Sequence, residues 1–180
     1  MEIVKYGNPV LRAKGARIET ITEEIRQLAD AMIDTMNEAN GVGLAAQQVG
    51  CALQLAIVDV SGVDDRPSVM RIDGKNVTLD DWMPMVLVNP VLELGKDKEC
   101  GTEGCLSFPE ISAEILRSVS LTVKARLIDG REIEFEAEGF LARALQHEVD
   151  HLNGILFIDR MTSATKVGLA GKLKRLQKNG

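Results

Sequence analysis

The chain has two histidines, and they stand four residues apart, His147 and His151, in the run QHEVDHL. On a helix, four residues at about 100° each come to about 400°, so the two imidazoles project from one face with roughly a 40° offset. That is close enough to grip one metal ion. Glu148 lies about 60° from His151 on the same side and reaches a water on that metal without being a ligand. H-E-x-x-H is the metal-hydrolase arrangement, in which the ion acidifies the water and polarises a carbonyl while the carboxylate moves the proton. The competing reading is a charged surface helix on which two histidines fall four apart.

A catalytic metal site wants three protein ligands and an open position. Cys105, in EGCLSFPE, is the third candidate: a thiolate with two imidazoles suits zinc or ferrous iron. Its bland reading is a small buried residue. In GVGLAAQQVG, Gly41 and Gly43 permit close backbone approach, and Gln48 carries an amide that donates a hydrogen bond. The stretch lacks the G-x-G-x-x-G spacing and follows a helix, so it is no dinucleotide fingerprint. By default it is a turn; as part of a site it forms a cleft wall, with Gln48 aimed at a developing oxyanion.

The elements that must position these residues follow from periodicity. TITEEIRQLADAMIDTMNEANG reads as a first long helix, with a capping box from Thr20 to Glu23 and a stop at Asn40-Gly41. An extended segment, Tyr6 to Pro9, precedes it. Leu53 to Val60 reads as a buried strand, Ser61 to Asp81 as the least structured part, and MVLVNPVLEL as a strand interrupted or edged at Pro90. Alternation around Asp129-Gly130 predicts a hairpin within residues 119–138. FLARALQHEVDHLNG returns to helical spacing with a stop at Gly154, and its apolar flanks turn the histidine face inward. A weaker amphipathic helix ends the chain. The expected class is α+β: antiparallel-type sheets around a central helix carrying H-E-x-x-H, with an N-terminal and a C-terminal helix.

The 180 residues read as one domain, 1–180, and 45% hydrophobic with 27% charged residues excludes disorder. Three cysteines without a C-x-x-C spacing exclude a disulfide framework; Cys51 and Cys100 read as ordinary thiols. No apolar run approaches the roughly 18 to 20 residues of a membrane helix, and MEIVKYGNPV has no signal-peptide pattern, so a cytoplasmic protein without membrane contact is expected. The net charge is −6, yet residues 160–180 carry six cations and no acid, which leaves −12 on residues 1–159. Such a body does not bind DNA nonspecifically, whereas the tail can touch a phosphate backbone.

Three stretches together, GVGLAAQQ (41–48), EGCLS (103–107) and QHEVDHL (146–152), resemble the three motifs of the peptide deformylases, in the same order and with similar spacing. The resemblance implies a metal hydrolase that removes the formyl group from N-formylmethionyl nascent polypeptides and releases formate. It makes Cys105, His147 and His151 the metal ligands and Glu148 the general acid/base. Ferrous iron is the usual native ion, and zinc, nickel or cobalt can occupy the site. The formyl oxygen would be held by the Gln48 amide and the Leu106 backbone N–H. Val42, Phe140 and Ala144 correspond to the methionine pocket; Val42, Gly43 and Gly104 correspond to contacts with the peptide backbone. Glu103 and Arg117 correspond to an ion pair supporting the cysteine loop.

Departures from the family pattern are the long loop from Val63 to Trp82 and Ser112 where some members place an arginine. Arg143 is expected to pack its stem and send its head to water. Asp150 is either a group behind a ligand or a surface charge. Two rival readings are an H-E-x-x-H peptidase or amidase of other specificity and a non-catalytic, metal-binding, ribosome-associated module. The first wants a third ligand downstream, where Asp159 is the only acidic residue. The second has no use for Glu148 and Gln48, both present. The basic tail, Thr162 to Lys178, is read either as a solvated helix or as a ribosome contact.

Overall fold

The computed structural model describes all 180 residues. Helix α1 (Glu23–Glu38) begins two residues later than the expected capping box: Thr22, not Thr20, accepts from the Ile25 N–H. The hydroxyl must sit three residues before that N–H, and Glu23 and Glu24 then fill the first turn, where acids suit the helix dipole. The helix stops where expected. Asn40 turns left-handed at φ 54, and the Gly41 N–H returns to the Met36 carbonyl.

Nine strands follow the chain: β1 (Gly43–Ala45), β2 (Leu55–Val58), β3 (Ser68–Ile72), β4 (Lys75–Asn76), β5 (Met85–Leu94), β6 (Lys98–Cys105), β7 (Phe108–Ser118), β8 (Ser120–Leu127) and β9 (Glu132–Gly139). Seven form an antiparallel sheet in the order β1-β2-β5-β8-β9-β3-β4, and β6 pairs with β7. Several expectations change. Tyr6 to Pro9 is a turn that leads into a short 3-10 helix, Pro9–Arg12, with Asn8 capping the Val10 N–H. The stretch read as least structured holds the β3–β4 hairpin, whose Asp73 and Gly74 both have positive φ, and β3 extends the sheet beyond β9. At Pro90, β5 continues with a register shift between Val88 and Val91.

Helix α2 (Phe140–Leu152) buries ten of its thirteen residues. Leu141, Ala142 and Leu145 pack on Val58, Leu87, Val123 and Phe135 of the sheet. On the other face, Met32 and Met36 of α1 cover Leu44, Leu55 and Ile57. Alternate residues of β2 thus face opposite helices, and each such side chain contributes about 1.5–3 kcal/mol. A third cluster joins Leu11, Phe108, Ile115 and Phe157 to Leu173 of α3 (Ser163–Asn179). The class is α+β, with antiparallel sheets and three helices.

Candidate active site and metal centre

Cys105 ends β6 at the tight connection to β7, and α2 presents His147 and His151 to it. One ligand atom from each of the three lies within 4.8 Å of the others. Cys105 Sγ is 3.4 Å from His151 Nε2. His147 Nδ1 is 2.9 Å from a Glu103 oxygen; an ionised carboxylate only accepts, so Nδ1 donates and Nε2 faces the site.

Glu103 is the hub behind His147. It accepts from Arg117 Nε and Nη2, both at 2.9 Å, and from Arg143 Nη1 at 2.8 Å. Burial raises its carboxyl pKa, but the hydrogen bonds of His147 and Arg117 win and hold it down at about 2. Arg117 reaches on to Asp150 at 2.6 Å, and Asp150 to Arg160. Asp150 is therefore a link in this chain of charges. Arg143 departs from its expected place, because its head is buried, donating also to the carbonyls of Ile115 (2.7 Å) and Glu99 (2.8 Å). Gly101 makes the room: a Cβ there would lie 2.8 Å from Arg143 Cζ.

Burial lowers the His147 pKa, yet contacts with Cys105 and Glu103 raise it well above the usual imidazole value; burial keeps His151 well below it. Surroundings that favour positive charge at His147 also favour a cation at Nε2. His151 Nδ1 and Glu148 Oε2 are buried polar atoms without partners. The soft donor set, its burial and this field fit a divalent ion. Burial pushes the Glu148 carboxyl up to about 7. It packs against Gly43, where a Cβ would lie 2.6 Å from Oε1, so β1 must pass here as glycine.

These groups open on a cleft of about 730 Å³ whose lining includes Val42, Gly43, Gln48, Gly104, Leu106, Phe140, Ala144, His147 and Glu148. The candidate ligands, Glu148, Gln48, Leu106 and the residues matched to substrate contacts are thus brought to one place, with His151 within reach of Cys105 and His147, whereas Arg117 and Asp150 lie outside this lining. Gln48 accepts the Ala45 N–H on Oε1 and turns Nε2 toward Ser107 Oγ at 3.2 Å and Cys105 Sγ at 3.6 Å. The Leu106 N–H has no partner within the chain.

The sequence profile of polypeptide deformylases matches residues 1–167. The chain belongs to that family. A peptide deformylase of Methylacidiphilum infernorum is 43% identical over 178 residues, covering 99% of this chain and 93% of that one; one of Opitutus terrae is 42% identical over 182 residues, covering 99% and 93%. Among solved structures, inhibitor-bound peptide deformylase 1B of Arabidopsis thaliana is similar with a TM-score of 0.84 at 39% identity, covering 99% of this chain and 91% of that one. The Plasmodium falciparum enzyme gives 0.83 at 30%, covering 99% and 96%. The family is one of metal-dependent hydrolases.

Sequence reasoning missed three contributors to the cleft. Arg66 lies 4.3 Å over the Phe140 ring and donates to the Thr102 carbonyl, Lys5 Nζ donates to the Leu106 carbonyl, and Ser107 is fully buried beneath Gln48. Arg66 and Lys5 lie outside any periodic element, and only the fold carries residue 5 to residue 106. Ser107 had a signal, being the last residue of EGCLS.

Proposed function

We propose that the chain hydrolyses the formyl–nitrogen bond of N-formylmethionyl nascent polypeptides, releasing formate and a free N-terminal amine. The observation that supports this reading above others is the unpartnered Glu148 Oε2 at the open cleft, beside the clustered Cys105, His147 and His151 donors. In this reading α2 is the central helix that carries H-E-x-x-H.

Cys105 Sγ and one ring nitrogen each of His147 and His151 would hold the ion, with ferrous iron the native choice and zinc, nickel or cobalt able to replace it. Bound there, it supplies Lewis acidity that polarises the formyl carbonyl and acidifies an attacking water. Glu148 takes the proton of that water as the water oxygen attacks the formyl carbon. The Gln48 amide and the Leu106 N–H donate to the oxygen that gains negative charge. Glu148 then delivers the proton to the departing nitrogen as the carbon–nitrogen bond breaks. Glu103 holds His147 in the donating tautomer throughout.

Val42, Phe140 and Ala144 would receive the methionine side chain, a burial worth about 1.5–3 kcal/mol. The peptide backbone would run along Val42, Gly43 and Gly104 as a strand added to β1, which lies at the edge of its sheet. No helix is long and apolar enough to cross a membrane. We place the activity in the cytoplasm, on emerging chains, with the exposed lysines of α3 available to ribosomal RNA.

The test is formate release from an N-formylmethionyl peptide by anaerobically purified protein, with metal content determined on the same sample and Glu148→Ala beside it. Metal-dependent release that collapses in a variant still holding its metal is the expected result. A loaded but inactive wild-type protein would overturn the reading.

A further inference from the structure

Behind α2, on the side away from the peptide cleft, lies a second cleft of about 590 Å³ that shares no lining residue with the first. Gln146 and Val149 of α2, with Asn153 just after it, line its floor; β5 forms one wall and the far ends of β6 and β7 the other. Three independent features meet there.

The first is charge. Lys14, Arg17, Lys98 and Arg160 line the cleft and are exposed, with Arg117 beneath them. The single carboxylate in the lining, Asp150, is already held by Arg117 and Arg160. This is a basic cleft in a chain of net charge −6. The second is apolar surface. Of five large hydrophobic side chains that the chain exposes, three line this cleft: Val91 at 63%, Leu94 at 54% and Leu116 at 52%.

The third is an open strand edge. Strand β2 pairs with β5 only up to Val88, so Val91 to Leu94 have β8 on one side and no strand on the other. The Gly95 N–H bonds the Ser120 carbonyl, and antiparallel hydrogen-bonded pairs alternate. The N–H and C=O groups of Leu92 and Leu94 therefore point to the open side, into the cleft.

We propose that this cleft binds an extended, acidic segment of a partner polypeptide, which adds to β5 as a strand along Val91–Leu94. Main-chain hydrogen bonds to Leu92 and Leu94 set its register, its apolar side chains cover Val91, Leu94 and Leu116, and its carboxylates meet the surrounding lysines and arginines. A nucleic acid would use the cations but leave the apolar side chains and the strand edge unmatched. Four residues at about 3.3 Å each give about 13 Å, so the motif is about four to six residues long.

The probe is a fluorescein-labelled, N-acetylated peptide of alternating leucine and glutamate, titrated into the metal-loaded protein by anisotropy and located by amide shifts. We expect one-to-one binding with shifts at residues 91–94. The affinity should fall at least tenfold in Lys14→Glu/Lys98→Glu, an exposed pair whose replacement leaves formate release unchanged. It should fall as far when alternate peptide nitrogens are methylated, which removes strand pairing without touching the protein. No binding, equal binding by the double variant, or equal binding of a leucine–lysine peptide would overturn the proposal. So would displacement of the peptide by a tighter-binding single-stranded RNA oligonucleotide.

Discussion

Arg143 grips Glu103 from one helical turn before His147: its Nη1 is 2.8 Å from one carboxylate oxygen while His147 Nδ1 is 2.9 Å from the other. Through Glu99, Gly101 and Ile115 the same guanidinium is tied to β6 and β7. Arg143 therefore fixes the distance between the strand that ends in Cys105 and the helix that carries the two histidines.

Replacing Arg143 by Met leaves Glu103 short of a buried partner and three carbonyls short of a donor. The expected loss is about 3–5 kcal/mol in denaturant unfolding, with faster loss of metal to a chelator. Arg143→Lys restores part of the stability but not the fork that serves several acceptors at once. Gly101→Ala should mimic the defect, since its Cβ would meet Arg143 Cζ at 2.8 Å. A Gly101→Ala protein with wild-type stability and metal retention would show that Arg143 does not set this distance.

That arginine illustrates where the sequence stops speaking. The i, i+4 histidines, the glycines beside Gln48 and the Asp129-Gly130 turn act through local geometry, so spacing alone exposes them. Arg143 looks like a helix-surface cation until the hairpin that buries it is known. That hairpin was hard to see because β6 exposes residues on both faces, which erases the alternation that marks a strand. The β3–β4 hairpin had its signal at Asp73-Gly74, but surrounding polar residues masked it. Lys5 and Arg66 reach the cleft through contacts far along the chain, at residues 106 and 102, which no local pattern encodes.

Gln48→Glu keeps the shape and the oxygen that accepts the Ala45 N–H, but replaces the donor facing Cys105 and Ser107 with an acceptor. If that amide serves the developing oxyanion, kcat falls about 10²–10³-fold with little change in KM. Metal content should stay at the wild-type level. Steady-state kinetics on metal-quantified samples decides, and a loss carried by KM alone would move Gln48 from the oxyanion to substrate binding.

Two glycines with similar backbone should differ sharply in cost. Gly130, at φ 93 in the β8–β9 turn, has open space where a Cβ would stand, whereas Gly154, at φ 74 after α2, would place one 2.5 Å from the Arg12 carbonyl oxygen. Gly130→Ala should lose about 1–2 kcal/mol for the left-handed conformation alone. Gly154→Ala adds a backbone clash and should lose well over that, because either the end of α2 or the Arg12 segment must move. Urea unfolding of both variants gives the comparison, and equal losses would mean that the Arg12 segment yields freely.

Asp159 joins the chain's start to the exit of α2. It accepts from the Leu156 N–H at 3.0 Å and from Arg12, whose Nη2 is 3.1 Å from Oδ1. Burial raises its pKa, but these bonds and the charge of Arg12 hold it below the ordinary aspartate value. A carboxylate with a depressed folded-state pKa stabilises the fold above its unfolded pKa, and that contribution disappears as pH falls through the folded value. The pair is partly exposed, so screening limits it to about 1 kcal/mol or less. Asp159→Asn should thus be less stable than wild type at about pH 6, and the gap should close towards about pH 3. Urea unfolding of both proteins across that range measures it. Equal stability of the two proteins at every pH would assign the role of Asp159 to its backbone hydrogen bond, which an asparagine oxygen can also accept, and not to its charge.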